Sequence, residues 1–375
     1  MDLSNYETKF NNQKTYPVIS EKEIVELVRK YGVGKLIKKL AGALRNRFPD
    51  KSFQLTREEL ANGIRDLSKW QANWLEKSFV IRNMPYYKEP LHFDDKPLLL
   101  ETPSSQYRLD ILPEYFTDVH RMGVRRYDAK QTPMNMWKNE TKKFVGYCLK
   151  KYKRIDPVSL RESVYALGQE ATEFKVTVAM AMIKKFNAKR LLDISAGRGV
   201  RLFAALVSQL EYYTACDPDL GLIPIHNSIV EAVKESKLDR VGSAHTKVQI
   251  CYQPFEDMEL EALECREYDL VFTSPPYFNL EIYSEAETQS VSRYSEVDSW
   301  LNGFLFPAIR KAWSLLVSGG TMAININDIN DGPKYVMPMI EEAGKLPGST
   351  FRGVIGYGDP KRGDAAQPVW CWTKK

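Results

Sequence analysis

Cysteine and histidine are scarce in this chain: five cysteines among 375 residues, at positions 148, 216, 251, 265 and 371, and four histidines. The cysteines are odd in number, dispersed and never paired as C-x-x-C, which argues against a disulfide framework and a zinc site. With so few ligating side chains, metal chemistry has little support. Long apolar runs are missing too. None approaches the ~20 residues of a membrane helix, and Met1-Asp2-Leu3-Ser4-Asn5 has neither the basic nor the apolar region of a signal peptide. The expected location is therefore the cytoplasm, with no membrane partner. Nothing in the composition suggests disorder, and at 43% hydrophobic and 27% charged the chain is long enough for two globular domains.

Charge is unevenly spread. Residues 1–150 hold 27 Lys and Arg against 19 Asp and Glu, whereas residues 151–375 hold 26 against 29. A basic half beside a slightly acidic one suggests that the first grips a polyanion while the second does chemistry. The alternative is a chance fluctuation of solvated surface.

Ser20-Glu21-Lys22-Glu23 is a capping box that opens a helix carrying Ile24, Val25, Leu27 and Val28. Tyr31-Gly32-Val33-Gly34 interrupts it, and Leu36, Ile37, Leu40 and Leu44 resume the apolar stripe among Lys35, Lys38, Lys39, Arg45 and Arg47. Such a pair fits a helix-turn-helix, and equally any helical hairpin with a solvated face. A second capping box, Thr56-Arg57-Glu58-Glu59, starts a helix with Leu60, Ile64, Leu67 and Trp70. From Asn83 to about Pro113 periodicity fails and five prolines break the chain, which reads as a connecting or covering segment.

Residues 121–162 are the most basic region, with 12 Lys and Arg against 4 Asp and Glu, interleaved with Tyr127, Trp137, Phe144, Tyr147 and Tyr152. Charge plus aromatic faces suits a single-stranded or flipped nucleotide, since cations neutralise phosphate and rings stack on bases at roughly 1–3 kcal/mol each. Arg125, Arg126, Lys142 and Lys143 are the candidate contacts. The competing reading is an amphipathic helix around 138–154 whose rings are core.

After Arg161 helix and strand alternate. A helix is expected over Gln169–Phe186, a strand over Leu191–Ser195, and Gly197-Arg198-Gly199 turns the chain into a helix over Val200–Leu210. A strand, a glycine turn and a helix N-terminus bring backbone N–H groups to an anionic ligand. The dinucleotide version needs a third glycine where Leu202 stands, which argues against a nicotinamide or flavin cofactor. Strand 212–216 ends in Asp217, placed to accept from both hydroxyls of a ribose, unless it or Asp219 merely caps a helix. Further strands are expected over 247–251, 269–273, 321–326, 351–355 and 369–372, the last one antiparallel.

Strand 269–273 stops on Ser274-Pro275-Pro276-Tyr277. Two prolines remove two N–H donors, so nearby carbonyls are free to accept from something else, and a ring follows at once. These four residues resemble the catalytic motif of amino-methyltransferases acting on cytosine N4 or adenine N6, and Ser274 in first place resembles the N4-cytosine branch most. Asp193 with Gly197 and Gly199 gives D-x-x-x-G-x-G, similar to the form in which S-adenosylmethionine enzymes hold the methionine part of their cofactor. The S-P-P-Y-F-N-L-E run also resembles phage and large-virus proteins, for which the location would be the host cytoplasm or viral factory.

The resemblance covers about 165–375. It implies a Rossmann-like seven-stranded S-adenosylmethionine methyltransferase sheet in an α/β domain at 161–375; residues 1–160, which the resemblance does not reach, are read from their charge and periodicity as a mainly helical, target-recognising domain. The resemblance also implies S-adenosyl-L-methionine as cofactor, held by Asp193, Ser195, Ala196, Gly197, Gly199, Asp217 and Thr273. In this architecture the loop after the third strand covers the adenine, so Phe255 becomes a stacking candidate and Glu256 or Asp257 an amino-group acceptor. Ser274, Pro275, Pro276 and Tyr277 would hold the target base. The acidic, aromatic segment 278–298, with Tyr283 and Glu285, would act as a lid. Nucleic acid, DNA before RNA, is the expected partner, read by 1–160 and the lid because the last strand ends at the C-terminus. An RNA enzyme and a catalytically silent subunit of the same fold are the alternatives.

Overall fold

The computed structural model describes residues 16–126, 128–238, 246–284 and 286–375, so Tyr127 and Glu285 lie outside the described residues. The chain divides into two compact units. One combines 1–60 with 114–173, the other 61–113 with 174–375.

In the first unit the Ser20–Glu23 capping box forms as expected, with Ser20 N–H donating to Glu23 at 2.8 Å, and helix Glu21–Tyr31 follows. Gly32, at φ +73°, is the whole turn before helix Val33–Leu44. The latter buries Leu36, Leu40, Ala41 and Leu44 in a core shared with Trp137, Phe144, Val145 and Cys148 of helix Pro133–Tyr152. Trp137 Nε1 donates to Leu44 O at 3.2 Å, satisfying a last-turn carbonyl that has no partner within the helix.

Beside this core lies a buried ionic network. Asp118 accepts Arg161 Nε at 2.8 Å and Arg121 Nη2 at 2.7 Å, and Lys51 reaches Glu114 at 2.6 Å. Burial pushes the Asp118 carboxyl up, but the two guanidiniums outweigh it and hold the group at about 2.

The second unit is built on a ten-stranded sheet. In chain order its strands are β1 (Trp74–Leu75), β2 (Val80–Ile81), β3 (Leu98–Glu101), β4 (Arg190–Asp193), β5 (Tyr212–Cys216), β6 (Lys247–Cys251), β7 (Tyr268–Thr273), β8 (Leu316–Ile324), β9 (Ser349–Gly358) and β10 (Ala365–Lys374). Across the sheet the order is β6-β5-β4-β7-β8-β10-β9-β3-β1, with β2 alongside β10. Strands β4 to β8 run parallel, and β10 is antiparallel to both β8 and β9. The seven strands β4–β10 form the expected mostly parallel, Rossmann-like sheet, with the last strand inserted antiparallel between β8 and β9.

The segment read from sequence as a connector does more than connect. Leu98–Glu101 pairs parallel with β9, and Trp74–Leu75 pairs with Leu98–Glu101, extending the sheet at its edge. Short strands among prolines leave no alternating pattern to read. The helix expected over 169–186 is confined to Val176–Lys185. Among the described residues no helix is long and apolar enough to cross a membrane.

Candidate active site

Strand order reverses between β4 and β7: the strand after β4 lies on one side of it, and β7 lies on the other. Such a switch point leaves a crevice at the carboxyl ends of the strands, where ligands of open α/β sheets bind. Residues following β4 and β7 meet there. Ser195 Oγ and Thr273 Oγ1 share a hydrogen bond of 2.7 Å, and Ser195 Oγ also reaches Ser274 O at 3.1 Å. The glycine turn and the S-P-P-Y turn, 79 residues apart in sequence, are thus directly joined.

The turn after β4 is shaped by its two glycines. Gly197 (φ +53°) donates its N–H to Asp217 Oδ2 at 2.8 Å, and Ala196 N–H donates to Cys216 O at 2.8 Å. A Cβ at Gly197 would meet nothing closer than Ser195 O at 3.9 Å, so this glycine faces open space. Gly199 (φ +85°) is different: a Cβ there would lie 2.8 Å from His226 Cδ2 and 3.0 Å from Ile229 Cδ1, both on helix Ile223–Glu235. One glycine leaves room for a ligand and the other lets a helix pack.

Asp217 follows β5. Its two oxygens accept Gly197 N–H and, at 3.0 Å, Asp219 N–H, while Asp219 takes over capping by accepting from Gly221 N–H at 2.8 Å. Burial raises the Asp217 carboxyl to about 6 against the two N–H bonds that lower it. Each oxygen keeps a lone-pair direction open.

Two expectations are corrected, at Asp193 and Phe255, and one open alternative is decided. Asp193 is wholly buried, and its carboxylate is occupied by Arg201 Nε at 2.7 Å, Tyr213 OH at 3.0 Å and Ser195 N–H at 3.3 Å, so it braces the turn from within. Phe255 is 1% exposed, its ring covered by the core, which leaves no face for an adenine. Glu256 and Asp257 are held by Arg293 at 2.9 Å and 2.8 Å, which uses them as anchors for the 278–298 segment. Trp137 and Phe144 are core residues of the first unit, so the amphipathic-helix reading holds for these two rings.

Sequence reasoning missed His226, Tyr252, Asn325 and Tyr357. His226 Nε2 donates to Gly197 O at 2.8 Å, Nδ1 lies 3.0 Å from Tyr252 OH, and the two rings stack at 5.9 Å. Asn325 follows β8. Its Oδ1 faces Ser274 Oγ at 3.3 Å, Tyr277 OH at 3.3 Å and Tyr357 OH at 3.4 Å. Burial raises the phenols of Tyr277 and Tyr357, so both are neutral hydroxyls at physiological pH. The available signal was positional: Asn325 is the first polar residue after an apolar strand neighbouring the S-P-P-Y strand. Pro275 is buried and Pro276 half-buried between Ser274 and Tyr277, and Tyr283 is half-buried.

Of the proposed phosphate contacts, Lys142 and Lys143 project from helix Pro133–Tyr152 and are exposed, Lys143 lying 3.3 Å from Glu140. Arg125 and Arg126 are half-buried. Arg125 donates to Ala129 O at 3.3 Å and Arg126 pairs with Asp128 at 3.3 Å.

No protein-family model matches the chain, and no curated protein does. Among solved structures it is similar to TrmN from Thermus thermophilus, with 16% identity and TM-score 0.37 over 54% of this chain and 49% of that one. The match thus spans about half the length of the Thermus protein. A methyltransferase from Pyrococcus furiosus matches at 15% identity and TM-score 0.36, over 58% of this chain and 93% of that one. The glycopeptide N-methyltransferase MtfA matches at 9% identity and TM-score 0.35, over 53% and 95%.

Proposed function

We propose that this protein is an S-adenosylmethionine-dependent methyltransferase acting on the exocyclic amine of a nucleobase, cytosine N4 or adenine N6, in DNA. The observation that carries the reading is the junction of Ser195 with Thr273 and Ser274, which puts the glycine turn and the S-P-P-Y turn at one switch-point crevice. The residues present fit the cofactor. Gly197 fronts open space for its methionine end, Ser195 and Ala196 line the same turn, and Asp217 has lone pairs for a ribose diol. Tyr252, half-buried and stacked on the buried His226, rather than Phe255, offers ring surface beside that turn. When bound, S-adenosylmethionine supplies an electrophilic methyl group on a sulfonium that departs as a neutral thioether.

The chain's own work is positioning. An exocyclic amine is a poor nucleophile because its lone pair is delocalised into the ring. Ser274 Oγ and the Pro275 carbonyl accept its two N–H groups, which pyramidalises the nitrogen and frees the lone pair. Tyr277 holds the plane of the base. The amine forms its new N–C bond and then loses one proton to water, so no strong base is required. In duplex DNA the base is flipped out first, at a cost of a few kcal/mol that phosphate contacts offset.

Incubation with labelled S-adenosylmethionine and separate DNA and RNA pools, followed by nucleoside mass spectrometry, tests this. The expected product is N4-methylcytosine or N6-methyladenine in DNA, reduced by about 10²-fold or more in Ser274→Ala and Tyr277→Ala while cofactor affinity stays nearly unchanged. Label in RNA alone would move the substrate class, and undiminished turnover in both variants would remove the S-P-P-Y turn from the chemistry.

A further inference from the structure

Asn325 lies one residue beyond the end of β8 and is 1% exposed. Its backbone N–H donates to Thr273 O at 2.9 Å, and its Nδ2 donates to Pro368 O at 2.7 Å, so it is pinned to β7 on one side and β10 on the other. A backbone carbonyl can only accept, which settles which end of the amide is nitrogen. The atom turned toward Ser274, Tyr277 and Tyr357 is therefore Oδ1, a pure acceptor. Three hydroxyls converge on it at 3.3, 3.3 and 3.4 Å, and one of them, Tyr277 OH, also has the Asn325 backbone carbonyl as an acceptor at 3.4 Å. Two lone pairs cannot take three short bonds, which explains why each is longer than a usual O–H···O.

We propose that Asn325 is a positioning residue that decides the polarity of this site: by taking the Ser274 proton it leaves Ser274 Oγ able only to accept, so that the site selects a substrate atom bearing N–H. The inference rests on the amine reading above and deepens it. A serine free to rotate donates or accepts and tells an amine from a ring nitrogen or carbonyl poorly. A serine whose proton is committed to a rigid, buried carbonyl presents lone pairs alone. Ser274 is half-buried, so part of the residue remains accessible. Tyr357, from β9, competes for the same oxygen at 3.4 Å. The arrangement needs the strand order β7-β8-β10-β9, because its residues come from β8 and β9 and from the turn after β7, while the carbonyl that orients the amide comes from β10.

The test is binding with turnover absent. Short fluorescent single-stranded DNAs differing at one base, cytosine against 2-pyrimidinone and adenine against purine, are titrated with the full chain in the presence of S-adenosylhomocysteine. The parent is expected to bind the amino base about tenfold tighter than its des-amino counterpart in at least one pair. Asn325→Leu removes both the oxygen and the donor to Pro368, and should abolish the preference. Asn325→Asp loses the same donor but keeps an oxygen facing Ser274, and should retain it. The contrast isolates the acceptor from any structural role, because both variants lose the Pro368 bond alike, and calorimetry with S-adenosylhomocysteine checks that each is folded. A preference that survives in Asn325→Leu, or vanishes equally in both variants, overturns the assignment while leaving the amine reading intact. A parent with no preference in either pair overturns the amine reading and this inference together.

Discussion

At the scale of single residues, Asp217 is the side chain whose environment makes the sharpest prediction. Its carboxyl is raised from an ordinary 3.8 to about 6, chiefly by burial. Only the ionised form accepts from both hydroxyls of a diol, so affinity for S-adenosylhomocysteine should rise as the pH climbs through about 6 and level off above it. Calorimetry across that range checks this, and Asp217→Asn should bind weakly with the step removed. Stability runs the other way. The folded state holds the Asp217 proton more tightly than the unfolded chain does, so this residue favours folding at acid pH and the benefit is lost as the pH rises through about 6. Measured trends of opposite sign in binding and folding would mark this carboxylate as a ligand-binding group rather than a structural one.

At the scale of elements, the glycine turn between β4 and helix Val200–Val207 separates two roles that look identical in sequence. Gly199→Ala puts a methyl against His226 and Ile229 at φ +85°, and should lower stability by about 1–3 kcal/mol, seen as a fall of several degrees in Tm. Gly197→Ala meets no such obstacle and carries mainly the left-handed backbone cost of roughly 1–2 kcal/mol, while projecting into the space proposed for the cofactor. Of the two variants, Gly197→Ala should lose more affinity for S-adenosylhomocysteine and Gly199→Ala more thermal stability. Equal effects on both measurements would mean that the turn acts only as a packing device. The spacing G-x-G was legible in the sequence; which glycine faces a helix and which faces space was not, because helix Ile223–Glu235 comes from farther along the chain.

At the scale of the whole molecule, Lys142 and Lys143 of the first unit are exposed on a helix whose Trp137 and Phe144 rings are core and whose Tyr147 and Tyr152 are half-buried. If the substrate is DNA, as proposed, binding to it should depend on phosphate contacts at these lysines. Replacing both lysines by Ala should reduce the slope of log affinity against log salt by about 1.8 on duplex DNA, weakening all sequences alike. Fluorescence anisotropy over a salt series measures it. An unchanged slope would assign the grip to other cations, and a change confined to particular sequences would make these lysines base readers.

The sequence by itself determined what depends on neighbours along the chain. The two capping boxes form at Ser20 and Thr56, strands 212–216 and 247–251 fall where their apolar runs are, and the S-P-P-Y turn ends its strand. Each of these rests on local hydrogen bonding, side-chain alternation or the fixed φ of proline. Tertiary structure alone decided the rest. It brought Leu98–Glu101 to the sheet edge, assigned Asp193 to Arg201 and Tyr213, covered Phe255, and gathered Ser274, Tyr277 and Tyr357 around Asn325. These outcomes are set by strand order, and strand order follows from how apolar faces bury against one another, a property of the folded whole that no window of the sequence contains.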